Sequence, residues 1–184
     1  MLSLPRAALL AVLASASCAH QDSIHDGVLT KGDIAVRLGP VPADWRPIPI
    51  SGADLAFRDA NHQGSVLIDV RCGQRDGDAP LSVLTEHLIM GTTERAIGAQ
   101  ATIPFDGREA MRTTLDAKLD GVPMRYRIYV MKKDGCVYDL VYVAPPEPFL
   151  AGEPAFERFV GSLHATARGE PAAHAQSALA PAYP

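Results

Sequence analysis

From Arg108 to Leu119 apolar and polar side chains alternate. Met111, Thr113, Leu115, Ala117 and Leu119 fall on one side, with Arg112, Thr114, Asp116 and Lys118 on the other. A period of two is the pattern of a strand with one face in a core and one in water. The next segment repeats it, with Met124, Tyr126, Ile128 and Val130 interleaved by Arg125 and Arg127. Residues 136–143 are apolar on both faces apart from Asp139, which predicts a central strand. Asp106-Gly107, Asp120-Gly121 and Asp134-Gly135 punctuate these runs at 14-residue intervals. Asp-Gly suits tight hairpin turns, so the segments predict an antiparallel meander. Upstream, residues 34–38, 45–50, 54–57 and 65–72 predict shorter strands between Gly, Pro and Asn.

Two segments follow a helical period instead. Asp78-Ala79-Pro80 offers a cap followed by proline in the first turn. Leu81, Leu84 and Leu88 then form an apolar stripe, with Arg95 on a later turn and an end near Gly98. A second helix is predicted over 153–164, burying Phe156, Phe159, Val160 and Leu163. Strands, helix, meander and helix in that order define an α+β domain: an antiparallel sheet with a C-terminal meander, covered by two helices.

By element order over residues 32–164, the chain resembles the PsbP/MOG1-like fold, an α/β/α sandwich that includes small DcrB-like envelope lipoproteins. The segments that carry the resemblance are Gly52-Ala53-Asp54-Leu55-Ala56-Phe57, Asp120-Gly121-Val122-Pro123 and Gly135-Cys136-Val137-Tyr138-Asp139-Leu140. None is a catalytic signature. The resemblance implies a noncatalytic assembly factor, binding module or envelope lipoprotein beside transport machinery, although fold does not fix function.

The ends of the chain place this domain in a compartment. Arg6, the apolar run Ala7 to Ala14 and Ser15-Ala16-Ser17 lead into Cys18. The run is shorter than the roughly 20 apolar residues a membrane span needs, so it reads as a removable export signal. Residues 1–17 are then a lipoprotein signal peptide and Cys18 is the lipidated residue. Cleavage after Ala16 is the rival reading, and it leaves Cys18 second in a soluble protein. Residues 18–32 form a flexible tether, 33–164 the single domain, and 165–184 a disordered Ala/Pro-rich tail. The expected location is the periplasmic face of the cell envelope, with the outer membrane favoured.

Composition narrows the functions. The 184 residues carry 17 Lys and Arg against 21 Asp and Glu, a net charge of −4. That balance gives no electrostatic drive toward nucleic acid. With Cys18 lipidated, Cys72 and Cys136 remain, and an exported protein sits where disulfides persist. They pair if their strands lie side by side; otherwise they are buried thiols.

The six histidines, His20, His25, His62, His87, His164 and His174, show no zinc-site spacing, and Cys-x-x-Cys is absent. No metal site and no cofactor is expected. His87, beside Glu86 and Leu88, reads as a half-buried surface histidine. Asp76-Gly77-Asp78 lacks the later ligands of a calcium loop and reads as a polar turn with a helix cap. Arg125, Arg127, Lys132 and Lys133 bring several positive charges to one hairpin. They suit a solvated strand face or, as the sharper reading, a dock for anionic lipid headgroups. Tyr126, Tyr129, Tyr138 and Tyr142 read as packing residues.

The leading expectation is therefore a noncatalytic envelope lipoprotein. It would be held to the membrane by its anchor and serve as a binding or accessory module for a protein of a transport or assembly complex. A periplasmic carrier of a lipid or other apolar ligand is the alternative. An enzyme would need converging charges, for which Asp69, Arg71 and Asp139 on neighbouring strands are the candidates.

Overall fold

A computed structural model describes residues 27–73 and 78–167. Cys18, the signal segment, residues 18–26 of the tether, Asp76 and residues 168–184 of the tail lie outside them. Ten strands and two helices run along the described chain. These are β1 (Val28–Lys31), β2 (Ile34–Arg37), β3 (Trp45–Pro47), β4 (Leu55–Asp59), β5 (Gly64–Cys72), α1 (Leu81–Leu88), β6 (Thr93–Phe105), β7 (Arg108–Leu119), β8 (Val122–Lys133), β9 (Cys136–Ala144), α2 (Pro146–Gly161) and β10 (His164–Ala167).

Seven strands form the main sheet in the order β3-β4-β5-β9-β8-β7-β6, and β1-β2-β10 form a small second sheet. Every pairing is antiparallel. The meander is as its alternation predicts: Thr113, Leu115 and Ala117 of β7 are buried between less buried neighbours. β9, apolar on both faces, is the middle strand of the seven. At the three Asp-Gly turns both residues have positive φ, from 47° to 51° at Asp and 72° to 81° at Gly, as tight hairpins of right-twisted strands require.

Two cores flank the sheet. On one face α2 and the small sheet bury Phe149, Phe156, Phe159, Val36 and Ala165 against Val66, Ile68, Leu140 and Tyr142. On the other, the short α1 packs Leu84, with Ile89 just beyond it, over Leu115, Tyr126, Ile128 and Val137. The chain is an α+β sandwich, as its element order predicts.

Several boundaries differ from expectation, each for a local reason. Val28–Lys31 belongs to a strand rather than the tether, since it pairs with β2 and Lys31 forms an ion pair with Asp54. His164–Ala167 likewise extends the fold into the expected tail, by pairing with the other edge of β2. The first helix stops at Leu88, where the chain turns and enters β6. Nearly every residue of that edge strand is exposed, so no alternation marks it. Asp78 caps nothing: Pro80 takes the N-cap position and makes no side-chain cap bond. α2 begins at Pro146, ahead of the expected 153, because prolines are tolerated where helix N–H groups have no partner anyway.

Asp106, at the β6–β7 turn, fastens β10. Its side chain is only 5% exposed and accepts from the Ala165 N–H at 2.8 Å and Lys133 Nζ at 2.9 Å, with His164 Nδ1 at 2.8 Å. Burial works to raise its pKa, but these partners outweigh it and hold the carboxyl below its ordinary value of 3.8. A depressed pKa contributes stability that is present above the unfolded value and lost as pH falls through the folded one. Asp106→Asn is expected to cost about 2 kcal/mol at neutral pH and to flatten the loss of stability below about pH 4. Urea midpoints measured down the acid range check this; an unchanged acid limb in the variant would assign that limb to other groups.

Candidate functional site

The four cations that sequence places on one hairpin do not form one patch. Arg125, Arg127 and Lys133 share the α2 face of β8, whereas Lys132 lies on the α1 face and donates to the Ala79 carbonyl at 2.9 Å. Arg125 makes a two-pronged bond to Asp116 at 2.7 and 2.8 Å, and its guanidinium stands 6.0 Å from the centre of the Phe149 ring. Hydrogen bonding to Asp116 raises the Arg125 pKa, and the same contact lowers that of Asp116. Arg127 bonds Glu153 at 2.6 Å, Glu157 at 3.1 Å and the Thr114 hydroxyl at 2.6 Å. Lys133 is the partner of Asp106. Of the four residues expected to dock lipid headgroups, Lys132 thus faces the opposite side from the other three, and Arg125, Arg127 and Lys133 are engaged by carboxylates that tie the fold together.

The cysteines stand directly opposite each other in the β5–β9 register and form a disulfide, with Cα atoms 4.1 Å apart. Asp69 and Asp139 are also paired across these strands. Arg71 bonds Asp69 at 2.7 Å and also the buried Asp139. The three candidates for converging charge are thus brought together. Burial disfavours the Arg71 cation, but the bonds and charges of Asp139 and Asp69 outweigh it and raise its pKa. The arrangement is an acid–base–acid set on the central β5–β9 pair, in which one guanidinium bridges two carboxylates.

The tyrosines are packing residues. Tyr138 and Tyr142 are fully buried, and Tyr142 stacks at 5.7 Å on Phe156. Burial pushes the Tyr138 hydroxyl up to about 12. His87 is exposed on α1.

A second cluster is one that sequence reasoning missed. Asp59, with no exposed surface, ends β4. His62 Nδ1 lies 3.0 and 2.8 Å from its two oxygens, the His62 N–H donates to it at 3.2 Å, and the Tyr142 hydroxyl donates at 3.3 Å. Burial raises the Tyr142 pKa, and the Asp59 charge adds to the effect. Asp44, in the turn before β3, completes the group and receives a bond from Asn61 Nδ2 at 2.9 Å. The only linear signal is an Asp and a His three apart in the β4–β5 hairpin, and His62 is among the histidines without zinc-site spacing; nothing in the sequence joins Asp44 to them.

Among the described residues no helix is long and apolar enough to cross a membrane. No protein-family model and no curated protein matches the chain. Solved structures do. LpqN, involved in cell envelope biogenesis of Mycobacterium tuberculosis, is 17% identical, with 78% of this chain and 88% of that one covered and a TM-score of 0.54. Cyanobacterial PsbP from Synechocystis is 11% identical, covering 72% and 86%, with a TM-score of 0.54. The Ran-binding protein MOG1p of Saccharomyces cerevisiae is 11% identical, covering 72% and 90%, with a TM-score of 0.52. The chain shares their PsbP/MOG1-like fold, and at such identities the likeness is one of fold alone.

Proposed function

We propose that this PsbP/MOG1-like domain is a noncatalytic binding or accessory module of an envelope transport or assembly complex. The protein is exported and anchored through Cys18 at the periplasmic face, with the outer membrane favoured. The observation that carries the reading is a set of exposed apolar side chains at one end of the sheet. Ile97 of β6 is 46% exposed, Leu119 of β7 40% and Val122 of β8 55%, all on the α1 face, and Met90 just past α1 is 65% exposed. Apolar side chains grouped on one surface mark interaction sites. The exposed edge strand β6 runs beside them and offers unpaired backbone groups to a partner.

The envelope role of LpqN is consistent with this setting. The set Asp69, Arg71 and Asp139 supports a structural use of the charges an active site would need. A hollow of about 540 Å³ among the described residues is lined by Leu81, Gly107, Arg108, Glu109 and Lys132, mostly polar, which does not favour the lipid-carrier alternative. A carrier's pocket is expected to be predominantly apolar.

The test is recovery of the tagged, full-length protein from its own cells in mild detergent, as wild type and as Met90→Ser/Ile97→Ser/Val122→Ser. Exposed sites of this kind change stability by about 0.5 kcal/mol or less each, so the variant is expected to fold. A stoichiometric envelope protein should accompany the wild type and be lost from the variant. Equal recovery with both, or recovery of the wild type alone, would overturn the reading.

A further inference from the structure

The turn before β3 and the β4–β5 hairpin bring two carboxylates and an imidazole to one point. Asp44, Asp59 and His62 each present a ligand atom, and these atoms lie within 4.8 Å of one another. Asp59 is wholly buried, yet among the described residues its one basic neighbour within ion-pair distance is His62. A carboxylate out of water needs a compensating charge, and a second carboxylate beside it makes that need greater. No arginine or lysine supplies it here, unlike at Asp106, Asp116 and Asp139, each of which has one.

The spacing suits a small cation. Ligands held about 2.0–2.2 Å from one ion stand about 3 Å apart, and His62 Nδ1 lies 3.0 and 2.8 Å from the Asp59 oxygens. Donors stand behind both carboxylates: Tyr142 on Asp59 and Asn61 on Asp44. Outer groups of this kind orient metal ligands.

The geometry points to a divalent transition-metal site formed by Asp44, Asp59 and His62. An imidazole with two carboxylates favours a zinc-class ion over calcium or magnesium, which prefer all-oxygen shells. Three protein ligands leave a position for water or for a donor from a partner. The ion bridges the turn before β3 to the β4–β5 hairpin, at the edge of the main sheet opposite β6.

The test uses the full chain, stripped with a chelator and titrated with Co²⁺ as the spectroscopic probe and with Zn²⁺ by calorimetry. One equivalent of Co²⁺ should bind, with visible absorption that Zn²⁺ abolishes. Asp44→Asn should weaken binding about tenfold or more while melting like the wild type in chelator, whereas His62→Gln should weaken it at least as far and also melt lower, because it removes the one basic neighbour of buried Asp59 among the described residues. Asp44 lies in a turn and bonds only Asn61 among the described residues, so its replacement is the milder of the two. Absence of saturable one-to-one binding would overturn the site. Unchanged affinity in both variants would do so as well, because the ion would then sit elsewhere, as at His20, His25 or His174. Tighter binding of Ca²⁺ or Mg²⁺ than of Zn²⁺ would overturn the choice of metal class.

Discussion

Removing the Cys72–Cys136 disulfide is expected to destabilise the domain by about 4 kcal/mol. The bond joins residues 64 apart in sequence, and in the chain-entropy account a closed loop of that length restricts the unfolded ensemble by this amount. Against a typical total stability of about 5–15 kcal/mol, such a loss leaves a marginal protein. The position makes the native state tolerant of the bond. Cys72 and Cys136 already face each other at the end of the β5–β9 ladder, and the Gly73 N–H bonds the Gly135 carbonyl just beyond at 3.2 Å. Cys136 is buried and Cys72 exposed, so the double replacement by Ala removes little packing at the outer site. Urea unfolding of the oxidised protein, the reduced protein and Cys72→Ala/Cys136→Ala should give one midpoint for the first and a common, lower one for the others. A loss below about 1 kcal/mol would mean that the unfolded chain is already restricted without the bond.

Gly152→Ala is expected to destabilise the protein by about 3 kcal/mol, although Ala is the better helix former by about 1 kcal/mol. The two effects have opposite signs, and the contact distances decide between them. A Cβ on Gly152 would stand 1.9 Å from the Tyr142 hydroxyl oxygen and 2.9 Å from Asp59 Oδ2. The Tyr142 ring has little room to retreat, because it is fully buried and packed against Phe149 at 5.4 Å and Phe156 at 5.7 Å. α2 must therefore lift from the sheet or the Asp59–Tyr142 bond must break. In a Tyr142→Phe background the nearest atom is gone, and the cost of Gly152→Ala should fall by about 1 kcal/mol or more. Thermal or urea unfolding of the four proteins completes the cycle. A neutral or stabilising Gly152→Ala would show that propensity wins and that α2 is free to shift.

The parts of the fold legible in the sequence were those with a local cause. Period-two alternation marked β7 and β8, an unbroken apolar run marked β9, and Asp-Gly pairs marked the turns between them. β6 escaped because an exposed edge strand has no buried face to alternate. The same reasoning extended α1 past Leu88, since Arg95 falls on the helical stripe whether or not the chain is helical there. β1 and β10 escaped for a different reason: four-residue strands carry too little pattern, and what makes them strands is the shared neighbour β2.

Chemistry followed the same division. That Asp69, Arg71 and Asp139 would meet was readable from their places on adjacent strands. That Lys132 would face away from Arg125, Arg127 and Lys133 followed from strand alternation, whereas the acidic partners of those three, on β7, on α2 and at the β6–β7 turn, did not.

By itself the sequence determined the class of fold, the central meander and the two cysteines available to pair, because each depends on short-range periodicity or composition. Only the tertiary structure decided which charges are engaged, that β10 closes the small sheet, and that Asp44 joins Asp59 and His62 beneath Tyr142. Those facts depend on the approach of residues far apart in the chain, and strand order and packing fix that approach while local pattern does not.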